Sequence, residues 1–452
     1  MKYLIGSSIL FTTVAANLAF AADVYGPYPI TLKGYDGDAT NSVSYSGQVG
    51  RQLLHNSLKK AISSGAAMNV TKAYFNGSDS DLTLLDPVSS ADFKVDVTNI
   101  NDVSKTNLSG KAYKGTINGW PGAMTGKEVL ESMIERAAQT ENGYDATHGY
   151  DYAQLVSKFA MGAVFYHQAC DNYLDEKLEA DNKPNNKPYK DGAYYTGKEH
   201  SWDEGFGYWG AAAHGATLSA RVNYDIAKKK DMASADANGD GVVNLKSEMN
   251  YAHAYYASAY DKGGVTDYYN TITKAFIDGR QIITDANGDA LSDSARTNLK
   301  AKARVICSNW EKVIAESVFK YAGSVYGDLE KLKANPGDEK LMRAHAKHWG
   351  ELKGFALSLH TSGQNLGELG TRIDRLIGLG PVVNGSAVTG VDGGGNYFVM
   401  GDADADKYMV HMLKLQKLME DEFGVTAKNN DKLAGISNIS EILGAGDSAE
   451  ND

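Results

Sequence analysis

The longest helical pattern of the chain lies at residues 295–331, which read ARTNLKAKARVICSNWEKVIAESVFKYAGSVYGDLEK. Its large side chains recur at spacings of three and four residues: Cys307, Trp310, Ile314, Val318 and Tyr321. This period is that of one face of an α-helix. Asn335-Pro336-Gly337 follows and is typical of a helix stop. The stretch therefore predicts one long helix.

The same spacing recurs on both sides of this stretch, at residues 151–179 and 338–360. The chain of 452 residues contains only 8 prolines, which favours long helices. Alternation typical of a strand is scarce, and residues 92–97 are its best example. The sequence therefore predicts an all-α fold with long polar loops and at most a minor β element.

Two short segments indicate an internal duplication. Residues 200–206 and 348–355 each contain Trp-x-Glu, with a histidine just before it and Gly-Phe just after it, in a chain with 5 tryptophans. Each segment follows a long helical pattern and a loop. We interpret the chain as two related helical bundles, residues 22–245 and 246–452.

Imidazoles and carboxylates of these two segments, together with the histidine one turn before the second segment, are the first candidate site. They are His200, Asp203, Glu204, His345, His348 and Glu351. Residues four apart on a helix share a face, and imidazole with carboxylate suits a transition metal or a proton-transfer site. If the two bundles face each other, these groups converge. The alternative is that each group satisfies its neighbours inside an apolar bundle, with the tryptophans filling the core.

A second candidate site follows calcium-loop spacing at residues 236–248, which read DANGDGVVNLKSE. Its candidate ligands are Asp236, Asn238, Asp240, the carbonyl of Val242, Asn244 and Glu248. Glu248 comes one residue later than the closing carboxylate of the motif. The sequence predicts bound calcium, and the alternative is an acidic turn without a metal.

The first residues predict export. Lys2 precedes an apolar run, and Ala19-Phe20-Ala21 resembles a cleavage site, so residues 1–21 are interpreted as a signal peptide and the mature chain as periplasmic or secreted. In an oxidising compartment Cys170 and Cys307 either form a disulfide or stay as two buried thiols.

Composition and missing motifs exclude several classes of function. The net charge is −11 without a long basic run, which argues against nucleic acid and anionic membranes as partners. No later stretch has the apolar length of a transmembrane segment. The sequence contains no H-E-x-x-H, G-x-S-x-G, phosphate loop or dinucleotide fingerprint. An enzymatic function therefore has little support.

Residues 198–210, KEHSWDEGFGYWG, resemble a bacterial family of unknown function whose hallmark is EHxWDEAFGYxG. The likeness extends to residues 44–51, to GAVFYHQACDNYL, to the calcium-like loop and to the segment at His348. That family resembles imelysin-like proteins, which are exported two-bundle helical proteins linked to iron uptake. Their G-x-H-x-x-E mark is matched only in part at His348 and Glu351. The resemblance implies a connection with iron.

Three functions are compatible with these patterns. The first is an extracytoplasmic binding protein for a metal ion or small ligand, with calcium in the loop and iron or another transition metal at the histidines. The second is a metal-dependent hydrolase in which Glu204 or Glu351 acts as base. The third is a non-catalytic partner of an outer-membrane transporter.

Overall fold

Helices form most of the chain in the computed structural model, which describes residues 23–361 and 366–444. The predicted signal peptide at residues 1–21 lies outside the described residues. The α-helices are α1 (Ser46–Ser63), α2 (Met68–Asn76), α3 (Gly126–Ala137), α4 (Tyr152–Ala160), α5 (Gly197–Trp209), α6 (Ala220–Ala227), α7 (Met232–Ala235), α8 (Ala252–Asp261), α9 (Tyr268–Asp285), α10 (Asp293–Ala334), α11 (Glu339–Leu359), α12 (Gly367–Ile377), α13 (Ala405–Phe423) and α14 (Ile439–Gly444). The prediction of an all-α fold is confirmed.

Strands are short and pair only in antiparallel hairpins within the described residues. The pairs are β1 (Thr116–Ile117) with β2 (Met124–Thr125), β3 (Tyr144–Asp145) with β4 (Tyr150–Asp151), and β5 (Ala387–Val391) with β6 (Tyr397–Met400). Residues 92–97 form no strand, and only Val95 makes an isolated parallel bridge, to Val243. The strand expected there is therefore wrong, because its partner segment is a loop that contributes a single bridge.

Helix α10 has 42 residues and packs against α8, α9, α11 and α13. Its large apolar face is buried, with Trp310, Ile314 and Val318 fully inaccessible to solvent. The pattern at residues 295–331 predicted this helix to within three residues at each end. The buried core is one cluster that runs from Tyr25 to Val425, so it crosses the predicted boundary at residue 245.

The helical segment after α4 changes its winding. Residues Met161–Tyr166 and Gln168–Tyr173 are π-helical, and the second stretch carries Cys170. Cys170 forms a disulfide with Cys307 of α10, with a Cα–Cα distance of 5.7 Å. The bond joins chain segments 137 residues apart. No helix in the described part of the chain combines the length and apolarity needed to span a membrane.

Two glycines allow α4 and its π-helical continuation to lie against α11. A Cβ on Gly354 would come within 2.6 Å of the Lys158 Cβ, and one on Gly162 within 2.2 Å of the Ser358 Cβ. Contacts below 3.0 Å are not available to real Cβ atoms, so only glycine fits. This close approach sets the positions of Lys158 on α4 and Glu351 on α11.

We expect Gly354→Ala to destabilise the protein by about 1–3 kcal/mol, because its methyl group overpacks the contact between α4 and α11. Gly327→Ala is the matched control on α10, where the nearest atom to an added Cβ is the Lys432 Nζ at 3.4 Å. That change should instead stabilise by up to about 1 kcal/mol through helix propensity. Urea unfolding of the two variants measures the difference, and equal effects would contradict the close-packing assignment.

Candidate ligand-binding cavity

Helix α5 carries the first predicted motif and begins with a reciprocal cap. The Thr196 hydroxyl accepts a hydrogen bond from the Glu199 N–H, and the Glu199 carboxylate accepts one from the Thr196 N–H. The cap fixes the start of α5 so that Glu199 and Asp203 lie one turn apart and face Arg280 of α9. Arg280 Nη2 is 3.3 Å from Glu199 Oε1, and its Nε is 3.0 Å from Asp203 Oδ1.

Asp203 is fully occupied by protein donors. The Tyr25 hydroxyl donates to its Oδ1 at 2.7 Å, and the Ser44 N–H donates to its Oδ2 at 2.9 Å. Burial raises the pKa of Asp203 to about 6, although Arg280 acts in the opposite direction. Asp203 therefore ties the N-terminal segment to α5 and α9, and it offers no open position to a ligand.

His200 and Glu204 are neighbours, as their spacing predicted. His200 Nε2 lies 3.7 Å from Glu204 Oε1, which also accepts a hydrogen bond from Gln48 at 2.8 Å. The His200 ring stacks on Tyr195 and meets Tyr189 edge-on. Burial lowers the pKa of His200, and the nearby Glu204 offsets part of this effect. The pair belongs to a mostly buried polar cluster rich in tyrosine.

The two histidines of the second motif, His345 and His348, have different neighbours. His345 is buried, and its Nε2 lies 3.2 Å from the Val382 carbonyl oxygen, beside a small cavity of about 220 Å³. His348 Nδ1 lies 2.6 Å from Asp328 Oδ2. His348 and Glu351 both line a larger cavity of about 490 Å³.

The six predicted site residues therefore do not form one cluster. Asp203 is ion-paired with Arg280, and His345 is hydrogen-bonded to the Val382 carbonyl oxygen. Neither His200 nor Glu204 lines the cavity that contains His348 and Glu351. Within residues 23–361 and 366–444 no group of three His, Cys, Asp or Glu side chains is placed to hold a metal ion. Contrary to the expectation, the two histidine motifs do not converge on one site, because each motif packs against different residues.

The predicted calcium loop folds around its own backbone. Asp236 Oδ2 accepts from the Gly241 N–H at 2.8 Å, and Asp240 Oδ1 accepts from the Val242 N–H at 3.0 Å. The late carboxylate, Glu248, turns back into the loop and accepts from the N–H groups of Ala237 and Asn244 at 3.1 and 2.7 Å. The loop is closed by the residue that departs from the motif. Of the other candidates, Asn238 is exposed and its Oδ1 accepts from the Asp240 N–H at 2.9 Å, and Val242 is half-buried.

The cavity of about 490 Å³ has a strongly basic lining that the sequence did not predict. Six lysines line it: Lys59, Lys158, Lys228, Lys229, Lys320 and Lys347. They come from α1, α4, the end of α6, α10 and α11, whereas Asp86 and Glu351 are the only acidic lining residues in the part of the chain that the structure describes. Asp86 is already paired with Lys229. A chain with a net charge of −11 thus concentrates positive charge around one open cavity.

Lys158 is the innermost of these lysines, with 4 % of its surface exposed. The face of the Tyr256 ring lies 5.4 Å from its Nζ, and no described carboxylate or carbonyl accepts a hydrogen bond from it. Burial and the neighbouring Lys59 lower the pKa of Lys158 well below its usual range, against the influence of Glu351. One sequence signal existed: Lys158 stands between Leu155 and Phe159 and is the one charged residue of helix α4.

Comparison with known proteins assigns most of the chain to a family. A family model described as Domain of unknown function (DUF4856) matches residues 34–335. The chain belongs to the DUF4856 family. The DUF4856 region includes Lys59, Lys158 and Lys320, whereas Lys347 and Glu351 lie beyond it, so the cavity is completed by the following helix α11. No curated protein and no solved structure matches the chain.

His55 of α1 lies in the cavity wall and links the site to pH. Its Nε2 is 2.9 Å from the Ser157 carbonyl oxygen, and its Nδ1 is 3.2 Å from Asn56 Oδ1. Burial is the main reason that the pKa of His55 falls from 6.5 to about 4, and Lys158 and Lys59 lower it further. His55 is therefore neutral in the folded protein at neutral pH.

We expect His55 to reduce stability as the pH falls. Above pH 6.5 the ring is neutral in both the folded and the unfolded chain, and His55 costs the folded state nothing through protonation. Between pH 6.5 and about pH 4 only the unfolded chain takes up a proton, so the free energy of unfolding falls progressively. The loss amounts to about 3 kcal/mol. In urea unfolding, the stability gap between wild type and His55→Gln should narrow by this amount from pH 7 to pH 4. A difference in stability that stays constant between pH 7 and pH 4 would contradict the lowered pKa of His55.

Proposed function

We propose that this DUF4856 protein is a binding protein for a small anionic ligand, held in the lysine-lined cavity. The observation that carries the proposal is the excess of lysines around the cavity: six line it, whereas among the described lining residues the carboxylates are Asp86, which is paired with Lys229, and Glu351. Burying an unpaired charged or polar group is costly. A carboxylate or phosphate group in the cavity would supply the missing partner for the surrounding ammonium groups.

The size and depth of the cavity favour a small molecule. Its volume of about 490 Å³ lies in the range of about 300–1,000 Å³ typical of small-ligand sites. The lysines are graded by depth: Lys158 is buried, Lys59 and Lys320 are half-buried, and Lys228 and Lys347 are exposed. Tyr255, Tyr256 and Tyr321 add aromatic surface to the same wall. This arrangement suits an anion with a less polar body.

We also propose that the protein functions outside the cytoplasm. The predicted signal peptide at residues 1–21 supports it, and so does the disulfide between Cys170 and Cys307, since disulfides persist in oxidising compartments. Iron or another transition metal, a hydrolase reaction and a transporter partner remain predictions from the sequence. We do not place them at this site, because lysine ammonium groups repel cations.

The binding test compares two lysines of the same helix, α10. We expect Lys320→Met to weaken the affinity for succinate and inorganic phosphate at least about tenfold, since it removes a charge-assisted contact worth about 1.5–3 kcal/mol. Lys331→Met is the matched control, because Lys331 is exposed and lies outside the cavity. Isothermal titration calorimetry at low salt measures both variants.

Two outcomes would overturn the binding proposal. One is a wild-type protein that binds neither anion at low ionic strength. The other is an equal loss of affinity in Lys320→Met and Lys331→Met, since general surface charge would then explain the binding. Glycerol serves as the neutral probe and should not compete with succinate.

A second candidate function concerns the loop at residues 236–248, which we propose to bind calcium as a structural ion. The specific support is Glu248, which is 5 % exposed and turns its carboxylate into the loop. Gly241 has φ of +87°, a conformation that glycine adopts at little cost. Asp236, Asn238 and Asp240 carry oxygen atoms of the kind that calcium prefers. These oxygens accept hydrogen bonds from N–H groups of the loop, so calcium binding requires their side chains to turn toward the ion.

Calcium should raise the free energy of unfolding, because it binds only the folded loop. The expected gain is about 2.7 kcal/mol at a calcium concentration 100 times the Kd. Chelator-treated wild type and Asp240→Ala should both lack this gain in chemical unfolding. Asp289→Ala, in the similar Asp-Ala-Asn-Gly-Asp stretch at residues 285–289, is the control and should keep it. A calcium effect that survives in Asp240→Ala would place the ion elsewhere.

A further inference from the structure

The lysines that line the cavity differ in depth and in the partners they already have. Lys59, Lys320 and Lys347 surround the space from three helices, and Lys158 lies deeper than any of them. Lys228 is 5.9 Å from the Tyr255 ring, and Lys229 is committed to Asp86. The outer ammonium groups are therefore available to an anionic group, whereas the inner amine faces whatever the anion carries into the cavity.

The surroundings of Lys158 disfavour a positive charge on its amine. Lys158 sits beside Lys59 and Lys347, in a position where no described carboxylate or carbonyl accepts a hydrogen bond from its Nζ. Desolvation and like charges favour the neutral amine of a lysine, and the neutral amine is the nucleophilic form. Burial thus lowers the pKa of Lys158, and the same side chain lines the cavity in which the anion would bind.

We infer that Lys158 forms an imine with the carbonyl carbon of a small 2-oxo acid held in the lysine-lined cavity, an inference that rests on the proposed anion-binding function. The carboxylate of such an acid pairs with the outer lysines, and its carbonyl group lies one bond further in. The cavity volume exceeds that of a three-carbon acid, so a longer side chain fits beside the tyrosines.

The chemistry requires no cofactor. The lone pair of the Lys158 nitrogen forms a bond to the carbonyl carbon, and the carbonyl π electrons move to oxygen. That oxygen receives both protons of the amine in turn and leaves as water, which gives a C=N bond. No electrons are gained or lost in the step. Glu351 lines the same cavity and is its one acidic lining residue without a described ion-pair partner, so it is the group available to relay these protons.

Reductive trapping on the wild-type protein tests the inference. The protein is incubated at neutral pH with 2-oxoglutarate and sodium cyanoborohydride, digested, and mapped by mass spectrometry. We expect one dominant adduct at Lys158, on the order of a hundredfold above that at the exposed Lys331 or Lys340, since an ordinary lysine is almost wholly protonated at this pH. Succinate, which has no ketone, should protect Lys158.

The outcomes separate this inference from the binding function. If succinate binds by calorimetry but no adduct appears at Lys158, the imine is overturned and the binding function stands. If neither occurs, both fail. Adducts spread over exposed lysines would also overturn the imine. Lys158→Met should lose the adduct, with circular dichroism to verify folding. If this variant does not fold, the mapping on the wild-type protein alone supports or overturns the imine.

Discussion

The buried ion network around Arg280 is the constraint on which the arrangement of the helices depends. Arg280, Glu199 and Asp203 are all inaccessible to solvent, and such charges are tolerable only when they are paired. The network fixes α5 against α9 and draws in the N-terminal segment through Tyr25. Helix α5 in turn meets α1, where an added Cβ on Gly207 would lie 2.7 Å from the Gln48 Cβ. Helix α1 carries His55 and Lys59, so the cavity wall is set by this chain of contacts.

A second part of the cavity wall depends on the close backbone approach of α4 and α11. The glycine contacts there bring Lys158 and Glu351, which are far apart in the chain, into one space. The disulfide holds the π-helical continuation of α4 against α10, which supplies Lys320. The cavity is therefore a product of tertiary packing among several helices. No local segment of the sequence contains it.

This explains which features could be predicted from the sequence. Local signals predicted α10 and α11, because helical periodicity and a Pro-Gly stop are properties of neighbouring residues. The i, i+4 spacing likewise predicted the contact between His200 and Glu204. Convergence of the two histidine motifs depended instead on how the helices pack. The net charge of −11 likewise gave no sign of a basic site, because the six lysines of the cavity belong to separate segments of the sequence that come together only in the folded chain.

The electrostatics of the lysine-lined cavity bear on what the protein can recognise. Ammonium groups around a recessed space repel one another, and a low dielectric strengthens that repulsion. The exterior of an acidic chain repels large polyanions, but a small anion can enter and relieve the repulsion among the lysines. A ligand that binds only the folded state stabilises it, so the site gains most from an occupant that neutralises several lysines at once. Di- or tricarboxylates and phosphate esters satisfy this condition better than monovalent anions.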